Sequence, residues 1–287
     1  MLFYDRPDGK RVKQPNALNV MMPYMMKGRN ASSVFYEKEI NVDNALAYIA
    51  EKETGSADGL HYSLFATVMA ATVRTFALRP ALNRFVHRKA LYQRNYLAFS
   101  FIVKQQISEE APEVSTKVFF TPEDTLSTVT KKVNEAIAYA RQHGGSPGED
   151  LASAANRIPG GKALVMAIYR LLDRINLLPR RLVDMDPLFA SCFFANLGSI
   201  GLDAPYHHLY EWGNVSIFIV LGKLEQKENR IGATGKKQHV LRIRLTVDER
   251  ISEGLYLARA AALFSRLIVH PELLEMPLEE ARTRLIG

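Results

Sequence analysis

The chain has 287 residues, 47% of them hydrophobic and 23% charged, with a single cysteine and a net charge of +7. One cysteine excludes a disulfide framework and any zinc site built on several thiolates, and it points to a reducing, cytoplasmic setting. The opening MLFYDRPDGKRVKQPN lacks the apolar centre of a signal peptide, and no run of about 18 apolar residues follows, so a membrane span is not expected. The mild positive charge suits a phosphate-rich small molecule as well as nucleic acid. Lys and Arg are dispersed without an aromatic-interleaved basic run, so nucleic acid is not the expected partner.

In chain order, the first thirty residues are basic, rich in Met and Asn, and weakly patterned. SVFYEKEINV, Ser33 to Val42, reads as extended, and Asp43 as the cap of a following helix. After the polar break TGSADG, apolar periodicity predicts a helix from Tyr62 to Phe76, stopped by Pro80. The second half of ALYQRNYLAFSFIVKQQ and the segment VSTKVFF read as strands. Pro122 to Asp124 opens a helix with apolar residues at Leu126, Val129, Val133, Ile137 and Ala140. HGGSPGED marks a loop, and a third apolar helix runs from Lys162 to Leu178, terminated at Pro179. From Phe189 the period becomes that of strands: FASCFFANLG, NVSIFIVLGKLEQ and HVLRIRLTVDE, the last two joined by an exposed hairpin, KENRIGATGKK. A final helix, Glu253 to Ile268, is apolar at Leu257, Ala261, Phe264 and Ile268. There are no repeats. The mixture gives an α/β or α+β class.

Several segments, taken in order, resemble one family: the catalytic domain of the acyltransferase components of 2-oxoacid dehydrogenase complexes. That domain shares the chloramphenicol acetyltransferase fold. SCFFANLG, Ser191 to Gly198, resembles the family strand G-T-F-T-I-S-N-L-G, and VSIFIVLGKLEQK resembles its apolar strand ending in G-R-I. Asp248-Glu249-Arg250-Ile251-Ser252-Glu253-Gly254 falls on its D-H-R-x-x-D-G signature, and His270-Pro271-Glu272-Leu273-Leu274 on its D-P-x-x-L-L ending. Pro80-Ala81-Leu82-Asn83 and Glu39-Ile40-Asn41-Val42 carry weaker matches upstream, so the likeness spans residues 25 to 276.

The resemblance implies a two-layer sandwich, a mixed sheet with helices on one face, formed by one acyltransferase-like domain over 1–287. It also implies a homotrimer, with assembly into a larger cage open, and coenzyme A, acyl-CoA or an acyl carrier as the partner in a channel between subunits. In the family, the histidine of D-H-R deprotonates a thiol, and a Ser or Thr hydroxyl stabilises the oxyanion. An imidazole suits a thiol of pKa about 8.5, and a fixed donor suits a developing negative charge.

This sequence keeps Ser191 for the oxyanion role and Glu253 for the family's structural Asp, but carries Glu249 where the histidine belongs. A free carboxylate, reference pKa about 4.3, is about four units too acidic for that thiol, a gap of roughly 5–6 kcal/mol that burial between subunits closes only in part. Glu249 is a non-standard base or a salt-bridge partner for Arg250 or another chain's arginine. His207 and His208 are candidates for a replacement base, with an aromatic interface loop as the plainer reading. The other histidines read as surface or helix-end residues. Cys192 alternates away from Ser191 as a core thiol, and Met21, Met22, Met25 and Met26 read as interface packing. No metal set is expected. The chain leaves no room for lipoyl or peripheral-subunit-binding domains, and it carries an insertion at 144–187. That insertion's apolar, basic-edged helix covers a patch of its own domain, shields the channel, recognises an acyl chain or rests on a membrane surface. Two functional classes follow. One is a stand-alone coenzyme A-dependent acyltransferase, and the other is a catalytically silent trimeric scaffold or acyl-carrier-binding subunit.

Overall fold

Strict alternation of side chains builds the central sheet. In β7 (Cys192–Asn196), Cys192 and Phe194 face one core while Phe193 faces the opposite side. In β8 (Ile217–Glu228), Ile217, Ile219 and Leu221 join the first core and Phe218 and Val220 the second. The computed structural model describes residues 5–55, 59–105, 113–144, 160–228 and 237–286. Its remaining strands are β1 (Gly9–Arg11), β2 (Ser33–Asn41), β3 (Arg84–His87), β4 (Ala90–Arg94), β5 (Leu97–Lys104), β6 (Glu113–Phe120) and β9 (Lys237–Asp248). The helices are α1 (Ala17–Met25), α2 (Asp43–Gly55), α3 (Leu64–Leu78), α4 (Leu126–His143), α5 (Gly161–Arg174), α6 (Arg180–Met185), α7 (Gly254–Val269) and α8 (Leu278–Ile286).

The six-stranded sheet has the order β2-β9-β8-β7-β5-β6, with β5, β7 and β8 mutually parallel and the other pairs antiparallel. Its first face is covered by α2, α3, α4 and α7, and this is the main core. The starts of these helices follow local chemistry. Ser63 caps α3 by accepting the Ala66 N–H at 3.1 Å, and Thr125 and Thr128 form a reciprocal capping box on α4. Asp43 opens α2, but its carboxylate serves another strand, accepting the His239 N–H at 2.9 Å.

On the second face the arrangement is richer than the expected single helical layer. The loop after β7 packs Ala204 and Leu209 onto Phe193 and Phe218. The segment 160–187 places α5 and α6 beside it, where Tyr169, Leu172 and Leu182 close over Leu178, Val183 and Phe189. Lys117, on the second face of β6, donates to the Val183 carbonyl at 2.8 Å and so ties α6 to the sheet. The third predicted helix ends earlier than its apolar run suggests. Asn176, at φ 62°, takes the left-handed conformation that breaks it, and Pro179 then starts α6 instead of ending α5. The loop expected at HGGSPGED and the tip of the KENRIGATGKK hairpin lie outside the described residues, although β8 and β9 pair up to Glu228 and Lys237.

A second, three-stranded sheet, β1-β4-β3, has no counterpart in the sequence reading. Its β3–β4 hairpin turns on two residues, Arg88 and Lys89, both at positive φ (47° and 63°).

Candidate active site

The segment after β9 is a single 3₁₀ turn, Glu249–Ile251, leading through Ser252 into α7. It is clamped at Asp248 and Arg250. The Asp248 carboxylate, fully buried, caps the turn by accepting the Arg250 N–H at 3.1 Å. The Arg250 guanidinium meets it through two further bonds, 2.8 Å from Nε and 2.7 Å from a terminal nitrogen. Arg250 also donates to the Met26 carbonyl at 3.1 Å, and the Asn19 side-chain amide donates to the Arg250 carbonyl at 3.2 Å. These bonds hold α1 against the turn. Arg250 therefore pairs with Asp248, not with Glu249.

Glu249 faces a cavity of about 390 Å³ between the sheet and the helices. The floor is Ile217, Ile219, Leu245 and Val247 from β8 and β9. Phe76, Leu257 and Phe264 form the helical wall, and Leu18 and Met22 of α1 lie across the opening. Asn19, Glu249, Ser252 and Glu253 line the cavity around the turn, while the hydroxyls of Thr72 and Thr75 in its wall are spent on carbonyls of α3 itself. No hydrogen bond or ion pair reaches the Glu249 carboxylate among the described residues. Glu253 stands at the N-cap position of α7 and accepts a short hydrogen bond from the Asn16 amide. The structure thus brings Glu249 and Glu253 to one apolar cavity with a polar end, a form typical of ligand sites.

The other sequence candidates lie elsewhere in this chain. Ser191 precedes β7, buried, and is not part of the cavity wall. Its hydroxyl accepts the Ala98 N–H at 3.1 Å, and its own proton has no acceptor among the described residues. His207 and His208 are separated from Glu249 by the sheet. The His207 ring stacks on Phe218, 4.0 Å between centroids, on the face of β8 opposite Ile217 and Ile219, and His208 stacks on His207. Burial lowers the pKa of His207. Within one chain neither lies beside Glu249: their side chains belong to the aromatic cluster of the second face. Cys192 is buried in the main core, and burial pushes its thiol well above the ordinary range. Among the described residues no group of three or more His, Cys, Asp or Glu is placed to hold a metal ion, and no helix is long and apolar enough to cross a membrane.

One histidine that the sequence did not distinguish does line a cavity. His87, at the end of β3, is held neutral by burial and by the nearby Arg6, with a pKa brought down to about 3. Its burial depends on the hairpin, which no alternation or turn signal announced.

Comparison with solved structures decides the fold. The chain is similar to the cubic core of the pyruvate dehydrogenase multienzyme complex, with a TM-score of 0.61 at 12% identity over 93% of this chain and 95% of that one. The dihydrolipoamide acetyltransferase of Azotobacter vinelandii superposes with a TM-score of 0.60 at 12% identity over 93% and 95% of the two chains. Chloramphenicol acetyltransferase gives 0.54 at 11% identity, over 91% and 98%. The fold is that of the chloramphenicol acetyltransferase-like acyltransferase cores. No family model matches the chain, and no curated protein sequence matches it. Within this fold, the turn carrying Glu249 follows the last strand of the sheet, and the apolar cavity opens beneath it.

Proposed function

We propose that this protein holds an acyl group, presented as a thioester of coenzyme A or an acyl carrier, in the apolar cavity beside Glu249, and transfers it. The observation that carries this reading is the partner-free Glu249 carboxylate at the polar end of an otherwise apolar cavity. An acyl chain gains about 25 cal/mol for each Å² of apolar surface it buries there, and the thioester carbonyl is then left at the polar end. Glu249 takes the proton of the acceptor hydroxyl, amine or water as that nucleophile attacks the thioester carbonyl, in place of the family's imidazole, and the proton passes to the departing thiolate as the C–S bond breaks; Glu253 fixes the polar end from the α7 cap. Ser191 is the oxyanion donor that the resemblance implies, and because it is buried in its own chain that role requires the segment before β7 to open toward an adjacent subunit. That arrangement needs a trimer. An exposed apolar surface on α1 and the edge strand β2 supports one: Leu18, Met21 and Met25 on the helix, and Val34, Phe35 and Tyr36 on the strand, are all more than 40% exposed. A larger cage and a cytoplasmic location belong to the same proposal.

A second reading rests on one observation: among the described residues no imidazole lines the cavity. On this reading the protein is a silent scaffold or acyl-carrier-binding subunit that keeps the fold for assembly. A thiol-release assay over a panel of acyl-coenzyme A thioesters separates the two. The acyltransferase reading expects turnover that improves with chain length and falls at least roughly 100-fold in Glu249→Gln, the scale of general-base catalysis. Binding without turnover supports the scaffold. If the wild type neither binds nor turns over any thioester, the acyl reading is lost; if Glu249→Gln turns over at the wild-type rate, the carboxylate is not the base.

A further inference from the structure

A second cavity, of about 610 Å³, lies on the other side of the turn from the first. The turn divides them, with Glu249 lining one and Arg250 the other. Its wall is assembled from parts far apart in sequence: the stretch after α1, the β3–β4 turn, α5 and the loop carrying Trp212.

The charges of that wall do not balance. Two carboxylates are present, and both are already engaged. Asp173 accepts from Arg6 at 2.7 Å, and Glu211 accepts from the backbone N–H groups of Arg29 and Asn30 at 3.3 and 3.1 Å. Arg250 is matched by Asp248. Five further cations line the cavity: Lys27, Arg29, Arg88, Lys89 and Arg170. None of them forms a carboxylate ion pair among the described residues. Four of them, Arg29, Arg88, Lys89 and Arg170, rest instead on carbonyls and rings. Arg88 donates to the Arg174 carbonyl at 2.7 Å, Lys89 lies 4.6 Å from the Tyr24 ring centroid, and Arg170 lies 5.9 Å from that of Trp212.

One buried donor is also unsatisfied. Arg29 is only 8% exposed, and its Nε has no hydrogen-bond partner, although its terminal nitrogens are spent on the carbonyls of Tyr210, Glu211 and Gly213. The Nε2 of His87 is buried and unpartnered too, a donor or an acceptor according to the tautomer of the neutral ring. A polar group left in this state costs free energy that a ligand can return.

The hairpin adds an independent sign. A two-residue turn with both central residues at positive φ favours Asn-Gly, because other side chains are strained there. Here the two positions hold Arg88 and Lys89, which place two cations at the cavity wall. Strain retained at a cavity points to a use for those side chains.

We propose that this cavity is a binding site for a small phosphorylated anion carrying a diphosphate or comparable polyanionic group. Guanidinium forks match phosphate oxygens, and a concave surface with uncompensated positive charge concentrates anions. The site stands independently of the acyl reading, because it is built partly from α5 and shares none of its lining residues with the apolar cavity.

The test is calorimetric titration of the full chain with inorganic pyrophosphate, with citrate as a carboxylate control and coenzyme A as a competitor. The variants are Arg88→Asn/Lys89→Gly and Arg170→Ala. The first supplies the turn sequence the backbone prefers, so a lost site cannot be attributed to a lost fold, and melting of the free protein verifies this. Pyrophosphate is expected to bind with strong salt dependence, and at least roughly tenfold more weakly in each variant. Displacement of pyrophosphate by coenzyme A assigns the diphosphate to that cofactor; binding of pyrophosphate without displacement assigns it to a separate phosphorylated ligand, and either result supports the site. The proposal is overturned if pyrophosphate does not bind, if both variants bind it as well as the wild type, or if citrate binds equally tightly.

Discussion

Glu249 and Arg250 are neighbours with opposite situations, and the difference decides what each substitution does. Arg250 and Asp248 are a buried, doubly hydrogen-bonded pair, so removing one partner strands a charge inside the protein. Asp248→Asn is expected to destabilise the fold by about 3–5 kcal/mol in urea unfolding, while Glu249→Gln leaves stability almost unchanged. His87 gives the pH dependence a direction. It is neutral in the folded protein down to about pH 3 but takes a proton near pH 6.5 when unfolded. Between those values the unfolded state holds more protons. Stability is therefore full above pH 6.5 and declines as the pH falls toward 3, by at most about 1.4 kcal/mol per pH unit from this group. Unfolding midpoints measured across that range check it, and His87→Gln is expected to flatten the slope.

At the level of elements, the β3–β4 hairpin carries a stability prediction. Arg88→Asn/Lys89→Gly relieves two side chains held at positive φ and is expected to raise stability by roughly 1–2 kcal/mol, read as a higher melting temperature. Gly213 stands at the opposite extreme. At φ 71°, a Cβ there would sit 2.1 Å from the Leu188 carbonyl oxygen, so no side chain can be accommodated. These elements also show where sequence reading reaches and where it stops. The strands β7, β8 and β9 were legible because each alternates over a sheet buried on both faces, and α3 and α4 because of their apolar period and stops. The hairpin was not, since Arg-Lys carries no turn signature, and β1, with three residues, is too short for any period to show. Glu249 and Glu253 could be singled out together in the sequence because one continuous motif holds both. Arg29, His87 and Arg170 were not, because only tertiary packing of segments scattered along the chain makes them neighbours.

For the whole molecule, α1 and the outer edge of β2 form an exposed apolar surface suited to a partner. β2 pairs with β9 on one side only, and Met25 of the adjacent helix is 71% exposed. If the proposed trimer forms through this surface, Leu18→Glu/Met25→Glu is expected to shift it to monomers, as measured by light scattering during size-exclusion chromatography. Since α1 also lies across the opening of the apolar cavity, the same variant tests whether association and occupancy are linked. The single turn that separates the two cavities has a further consequence. If a molecule settling on the arginine side moves those few residues at all, the affinity of the carboxylate side changes with it, and thermodynamic reciprocity requires the influence to run equally in reverse. A protein with this geometry can sense one compound through its grip on another, with the signal crossing a partition three side chains long.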